Sequence, residues 1–290
     1  MSFRDELGTR MKEYYEQIPK MKLMRRTPVM IRVDGKAFHT LTRGFEKPFD
    51  EILIKTMQET TKYLCENIQG CVLGYTQSDE ISLVLIDYQT FSTAAWFDYE
   101  IQKLVSISAS MATMAFNRYF ERNVKEYFLK NTSELQEKRE LEKQNAYKKA
   151  MKQGALFDAR VFNIPKEEVT NCIYWRQLDA SRNSIQMVGQ AMFPHKELQG
   201  KSCNDIQDML MAQKGINWND FPTHQKRGTC VIKEEYDMYI DEKGQEIQSN
   251  EADNFKGELI IRTRWKIDKD IPIFKNEGRQ YIERLIYVGE

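Results

Sequence analysis

The sequence predicts an α+β fold: a palm-type (ferredoxin-like) antiparallel sheet with flanking helices, a long helical arm and a β-rich C-terminal extension. Three observations lead there. Residues 29–164 run in the order strand, helix, hairpin, helix, strand, which resembles a split βαβ arrangement. A charge run at 132–153, TSELQEKRELEKQNAYKKAMKQ, follows with Glu and Lys at helical spacing, as in Glu134 and Lys138. From Thr229 onward, β-rich segments alternate with turn signals, the clearest at Asp241 to Gly244. The expected organisation is a palm-like core at 1–131 and 154–232, the arm at 132–153, and the extension at 233–290.

The elements follow in chain order. Residues 1–25 read as an amphipathic helix, with Leu7, Met11, Tyr14 and Tyr15 near helical spacing and Pro28 ending the pattern. Val29 to Val33 is a β-branched strand stopped by Asp34-Gly35. Pro48 to Asn67 reads as a helix, with Pro48 in the first turn and Asp50 and Glu51 behind it. Residues 71–87, CVLGYTQSDEISLVLID, form a hairpin around Thr76 to Glu80. Ala94 to Tyr127 is a long helix whose small residues, Ser106, Ser108, Ala109, Ser110 and Ala112, suit close packing. Ala159 to Ile164 returns to strand and Pro165 closes it; helices follow at 166–192 and 202–213.

Bulk properties narrow the class. With 290 residues, 41% hydrophobic and 30% charged, the chain suits a soluble globular protein. No run approaches the ~20 apolar residues of a membrane span. The N-terminus carries Asp5 and Glu6 and no apolar h-region, so no secretory signal is expected and cytoplasm is the expected compartment. The five cysteines, Cys65, Cys71, Cys172, Cys203 and Cys230, form no C-x-x-C and read as reduced core thiols rather than as a disulfide framework or zinc site. Basic and acidic residues balance at 43 each, which argues against strong nonspecific binding to nucleic acid and leaves room for a local basic groove.

The acids carry the chemistry. Asp34 ends an apolar strand; Asp79 and Glu80 sit at the centre of the hairpin. In a palm-type sheet these places are neighbours. Three carboxylates crowded together are unfavourable unless a divalent cation offsets them. Mg²⁺ takes one or two carboxylates plus phosphate oxygens and water, and a pair of such ions serves phosphoryl transfer. Taken singly, each motif has a plainer structural reading: Asp-Gly is a common turn and Ser-Asp-Glu a common exposed loop.

The surrounding motifs change that balance. Arg32-Val33-Asp34-Gly35-Lys36-Ala37-Phe38-His39 resembles the R-x-D-G-x-x-F-H segment of the tRNA(His) guanylyltransferase family. Phe45 to Asp50 is similar as well, and Gly74-Tyr75-Thr76-Gln77-Ser78-Asp79-Glu80-Ile81-Ser82 resembles the family's G-Y-x-Q-S-D-E-x-S hairpin. Phe157 to Val161, Trp175 to Asp179 and Lys226 to Thr229 continue the likeness in order, so that it spans about 29–232. The resemblance implies a palm domain that extends RNA in the 3′-to-5′ direction: ATP or GTP activates a 5′-monophosphate on tRNA, and the 3′-hydroxyl of an incoming NTP then attacks the activated end.

It also implies roles. Asp34 and Asp79 match metal-binding aspartates for two Mg²⁺ ions, the Gly35 carbonyl matches a further ligand, and Glu80 lies beside them as an occasional or outer ligand. Lys36, Ala37, Phe38 and His39 match a loop whose backbone amides hold a triphosphate, with Ser78 and Asp79 on the hairpin beside it; amides at a strand-to-helix turn suit that task. His39 matches a histidine near the activating nucleotide, and Lys47 a lysine of the activation step. Lys103 and Arg160 align with basic positions near nucleotide or RNA phosphates. A homotetramer is implied, and no membrane partner.

One departure is informative. Where eukaryotic members carry H-I-N-N-L-Y-N after the Trp175 motif, this chain has Ser181-Arg182-Asn183-Ser184-Ile185-Gln186-Met187. Of that pattern the first asparagine, Asn183, is retained. The change resembles the bacterial and archaeal "like" branch, which favours template-directed repair of 5′-truncated tRNAs over untemplated G addition to tRNA(His). Arg182 reads either as a phosphate contact or as helix-surface charge. His195 and His224 read as structural or surface groups. Two other readings stand beside the nucleotidyltransferase: another palm-type two-metal enzyme such as a nucleotidyl cyclase, which would not need Lys47 or the Trp175 segment, and a noncatalytic tRNA-binding protein on the same scaffold.

Overall fold

The computed structural model describes residues 3–130, 138–240, 246–247 and 258–289. Its helices are α1 (Phe3–Met11), α2 (Phe38–Leu41), α3 (Glu51–Asn67), α4 (Ile101–Lys130), α5 (Lys138–Gln153), α6 (Lys166–Met192), α7 (His195–Leu198), α8 (Cys203–Lys214), α9 (Thr223–Arg227) and α10 (Gln280–Ile286). Its strands are β1 (Val29–Gly35), β2 (Cys71–Gln77), β3 (Glu80–Leu85), β4 (Phe157–Asn163), β5 (Thr229–Ile240), β6 (Glu246–Ile247) and β7 (Glu258–Asp268).

The first four strands lie in the order β4-β1-β3-β2, every pair antiparallel, which is the palm-type sheet the sequence predicts. β5 extends the sheet: Thr229 to Ile232 pair with β2, and Cys230 to Ile240 pair with β7 along the opposite edge. The expected boundary at 232/233 therefore falls inside one continuous strand.

Side-chain alternation divides the sheet into two buried faces. Val29, Ile31 and Val33 of β1 join Ile81, Leu83 and Leu85 of β3 against α3 and α4, around Met57, Leu64, Leu104, Phe116 and Phe120. Met30 and Val84 face the other way, with Val169 and Ile173 of α6 and Ile282 and Ile286 of α10. A third cluster, Ile185, Val188, Ile206, Leu210 and Trp218, ties α8 to the C-terminal half of α6. Fully burying one such aliphatic side chain contributes about 1.5–3 kcal/mol.

Some expected boundaries move, for local reasons. The N-terminal helix does not run to residue 25: α1 passes into a π-helical turn, Lys12–Glu16, and stops. The chain beyond it is bound elsewhere, since Leu23 N donates to Tyr99 O (3.0 Å), Ile101 N donates to Met21 O (2.9 Å), and the Arg25 side chain meets the buried Asp87 at 2.6 Å. α3 begins after Pro48 because the Asp50 carboxylate caps it, accepting from Leu53 N at 2.9 Å. α4 begins at Ile101 rather than Ala94, because Phe97, Asp98 and Tyr99 have left-handed φ values of 48°, 52° and 55°.

α5 packs onto the core, burying Gln144, Tyr147 and Ala150, and the Tyr147 hydroxyl donates to Asp50 at 2.6 Å. Residues 132–137 of the charge run and the Asp241–Gly244 turn lie outside the described residues. α10 is a helix within the tail expected to be β-rich; Ile282 and Ile286, one turn apart, pin it to the sheet. All five cysteines are free thiols. Among the described residues, no helix is long and apolar enough to cross a membrane.

Candidate active site

The site grows from the register of three strands. Asp34, second from the end of β1, stands opposite Glu80 on β3 and opposite Asp158 on β4. The same register places Gln77 of β2 opposite Glu80. One row across the sheet therefore carries Asp158, Asp34, Glu80 and Gln77, and alternation puts the row on the face toward α6. The next row inward is Arg160, Arg32, Ser82 and Tyr75.

Asp79 occupies the two-residue tip between β2 and β3. Ser78 adopts a left-handed φ of 49°, and its hydroxyl donates to Asp79 Oδ1 at 3.0 Å. The tip is locked to β1, since Gly35 N donates to Asp79 O at 3.1 Å. Burial pushes the Asp79 carboxyl above its usual range; the Ser78 hydroxyl and His39 oppose that shift, and the Asp34 charge adds to it. Among the described residues, the ion pair that reaches Asp34 is Arg160 at 3.8 Å, and Arg160 is shared with Asp158 at 3.4 Å. Two carboxylates and the neighbouring Gly35 carbonyl make an all-oxygen donor set with little compensating positive charge, which fits a hard divalent cation. Among the described residues, no three His, Cys, Asp or Glu side chains gather to hold an ion by themselves. Such a set would leave coordination positions for phosphate and water.

The loop after β1 turns sharply. Ala37 is left-handed (φ 54°) and precedes the single turn of α2. Phe38 is its anchor, buried edge-on against Phe116 and tilted against Phe157. Gly35 is required there, because a Cβ would stand 2.3 Å from the Phe38 ring. Lys36 N donates to Leu156 O at 2.8 Å, so the run of amides without a backbone acceptor among the described residues begins at Ala37 and continues through Phe38 and His39, one residue later than the sequence suggests. Lys36, Ala37 and His39 are exposed.

Glu80 is engaged elsewhere. Arg176 of α6 meets it in a bidentate pair, Nε to Oε1 and Nη2 to Oε2, both at 2.7 Å. Burial pushes the Glu80 carboxyl up, and Arg176 opposes the shift. Arg176 Nη2 also donates to Asp179 at 2.8 Å; Asp179 in turn accepts from the exposed Arg182 and, at 3.4 Å, from Asn183.

Beside the hairpin tip lies an open cleft. Phe49, Leu53, Ile54 and Met187 supply apolar walls, and Ser78, Asn183 and His224 polar rims. Burial lowers the His224 pKa.

The structure thus brings together Asp34, Gly35, Lys36, Ala37, Phe38, His39, Ser78, Asp79, Glu80 and Arg160, with Asn183 and Arg182 on the α6 side. Lys47 is exposed in the loop leading to α3, two residues before the cavity-lining Phe49. Lys103 is not brought in. It lies near the start of α4, paired with Glu100 at 3.6 Å and over the Phe97 ring. The part of α4 that touches the site end of the sheet is Thr113 to Asn117, through bonds to Phe157 N and Ala155. At 1.5 Å per residue, Lys103 is roughly 15 Å away along the helix. Asp158, Arg176, Asp179 and His224 acquire their places only in three dimensions. The first three lie in motifs quoted from the sequence, but no spacing signals that Asp158 faces Asp34.

A family model described as Thg1, tRNAHis guanylyltransferase, matches residues 8–165. A solved structure of a bacterial tRNA(His) guanylyltransferase (Thg1)-like protein in complex with ATP is 40% identical, with a TM-score of 0.74, and covers 98% of this chain and 100% of that one. One described as such a protein in complex with GTP is 37% identical, with a TM-score of 0.71 and the same coverage. The tRNA(His) guanylyltransferase of Debaryomyces hansenii is 28% identical over 238 residues, 77% of this chain and 80% of its own length. The chain belongs to the tRNA(His) guanylyltransferase family, and its structural neighbours are bacterial Thg1-like proteins.

Proposed function

We propose that the protein adds nucleotides in the 3′-to-5′ direction to the 5′ end of tRNA, reading a template base, and that it repairs 5′-truncated tRNAs. The observation that carries this reading is the Gly35 N to Asp79 O bond that holds Asp79 beside Asp34 at the hairpin tip, next to the Ala37–His39 loop and an open, partly apolar cleft. Asp34, Asp79 and the Gly35 carbonyl would hold two Mg²⁺ ions. When bound, these supply stabilisation of the charge on the attacking and leaving oxygens.

The chain's own residues do the rest. The amides of Ala37, Phe38 and His39 take the triphosphate of a nucleotide. Ser78 and Asn183 line the cavity that takes a base. Lys47 neutralises the pyrophosphate that leaves as ATP or GTP activates a 5′-monophosphate. Arg160 and Arg182 stand where RNA phosphates approach, and Lys103 would meet RNA only at a distance from the carboxylates. The unlike sequence at Ser181 to Met187 favours repair over G addition restricted to tRNA(His). Ile18, Met21 and Met24, all strongly exposed, support assembly into a homotetramer. Light scattering of the purified protein reads that assembly directly.

The test is Mg²⁺-dependent incorporation of labelled NTP onto a 5′-truncated tRNA, with the base opposite the added nucleotide varied. Addition that follows the template supports repair; entry of G alone would replace it with tRNA(His) maturation. Asp34→Ala and Asp79→Ala are each expected to abolish incorporation with the melting transition retained. Near-native rates in either variant would remove the metal assignment.

A further inference from the structure

Glu80 faces Asp34 across the β1–β3 ladder and directly follows Asp79, yet both of its oxygens are held at 2.7 Å by one guanidinium. Both partners are nearly enclosed, with side chains 10% and 12% exposed. The fork geometry fixes Glu80 in orientation as well as in distance, which a single point charge cannot do. The same Arg176 Nη2 reaches Asp179, and Asp179 reaches Asn183 on the cavity rim. A continuous polar chain thus runs from the hairpin tip to the cavity wall. Thr76 Oγ1 donates to Glu80 O at 3.0 Å and Gly35 N donates to Asp79 O, bonds that restrain backbone, while the Ser78 and Ser82 hydroxyls donate to Asp79 Oδ1 at 3.0 Å and Glu80 Oε1 at 3.4 Å. Among the described side chains, Arg176 makes the ion pair that joins β3 to α6 at this row.

We propose that Arg176 is a positioning residue: its clamp on Glu80 sets Asp79 relative to Asp34, and Asp179 carries that setting to Asn183 at the nucleotide cavity. Glu80 then acts as an anchor for the hairpin rather than as a metal ligand. This rests on the two-metal reading above.

The experiment titrates Mn²⁺ into RNA-free protein and follows free ion by electron paramagnetic resonance. Melting temperature and NTP kinetics are measured beside it. Arg176→Lys keeps the charge and loses the fork, and should weaken Mn²⁺ about tenfold or more, the usual effect of removing an outer partner of a metal site. The double variant Glu80→Met/Arg176→Met removes both charges at similar volume and should retain most of the melting temperature, since neutral replacement of a buried pair is often tolerated. Its Mn²⁺ affinity should stay weak. Asp179→Ala should raise the NTP KM more than it lowers kcat.

Wild-type Mn²⁺ affinity in Arg176→Lys or in the double variant would overturn the positioning role. A loss in Asp179→Ala confined to melting temperature would overturn its link to the cavity. If wild-type protein shows no Mn²⁺ binding that Asp34→Asn removes, the two-metal reading fails too. If wild type binds and Arg176→Lys binds equally, only the positioning role fails.

Discussion

Gly35→Ala probes how tightly the core constrains the site. A Cβ at residue 35 would lie 2.3 Å from Phe38 Cδ2 and 2.4 Å from Cε2, whereas ordinary contact begins at 3.4 Å. The ring must therefore retreat by about 1 Å. It has little room, because Phe38 is 5% exposed and its centroid sits 5.3 Å from that of Phe116 and 5.2 Å from that of Phe157. Overpacking of this kind costs about 1–3 kcal/mol. For a chain of this size each kcal/mol moves the melting temperature by roughly 2–4 °C. The larger effect is expected in activity. Residue 35 follows Asp34, and its N–H holds the Asp79 carbonyl, so the strain is released into the two carboxylates. A displacement near 1 Å at a reacting centre costs about 10²-fold. The assay is single-turnover addition to a 5′-triphosphorylated truncated tRNA, run beside a thermal melt. Gly35→Ala/Phe38→Leu should recover part of both losses by making room. A Gly35→Ala protein that melts within about 1 °C of wild type and reacts within roughly twofold would refute the argument.

The remaining expectations are briefer. Tyr147→Phe removes the hydroxyl that donates to the buried Asp50 carboxylate at 2.6 Å, and should lower stability by about 1.5–3 kcal/mol in chemical denaturation; an unchanged midpoint would show that the bond contributes nothing net. His224 has its pKa lowered by burial, so below its ordinary value of about 6.5 the unfolded chain binds the proton more readily than the folded one. Stability should fall as pH drops through that value, and His224→Gln should flatten the fall; parallel wild-type and variant curves would exclude His224 as the source. Lys47→Ala should harm use of 5′-monophosphate tRNA more than use of 5′-triphosphate tRNA, and equal losses would remove its part in activation.

Much of this was legible in the sequence because strand alternation and turn residues are local signals. Val29 to Val33 announce a strand buried on both faces, and the Asp-Gly stop and the Ser-Asp tip mark where polar groups can emerge. What remained hidden is set by tertiary competition. The segment after Glu16 has helical spacing, but its backbone bonds go to Tyr99 and Ile101 instead. The α3 start depends on Asp50 acting as a cap and as the acceptor for Tyr147, a residue 97 positions away. Glu80 looked like a third carboxylate for a cation because its partner, Arg176, is 96 residues distant. Lys103 looked like part of the site because linear order does not reveal which end of a 30-residue helix touches it.

The site and the core obey one constraint. Along β1 the residues facing α3 and α4 are Val29, Ile31 and Val33, while those facing α6 are Met30, Arg32 and Asp34. The α6 side therefore passes from apolar to cationic to anionic within five residues. α6 answers in kind, with Ile173 in the apolar layer that holds Met30, Trp175 beneath the Arg32 guanidinium, and Arg176 beside the row that holds Asp34 and Glu80. A slip of one residue in the β1 register would exchange the faces. It would drive Asp34 into the layer around Phe38 and Phe116, where an unpaired carboxylate cannot stay charged. The three aliphatic side chains that look least connected with chemistry are thus what keeps Asp34 at the open end of the sheet, across from the hairpin tip that carries Asp79.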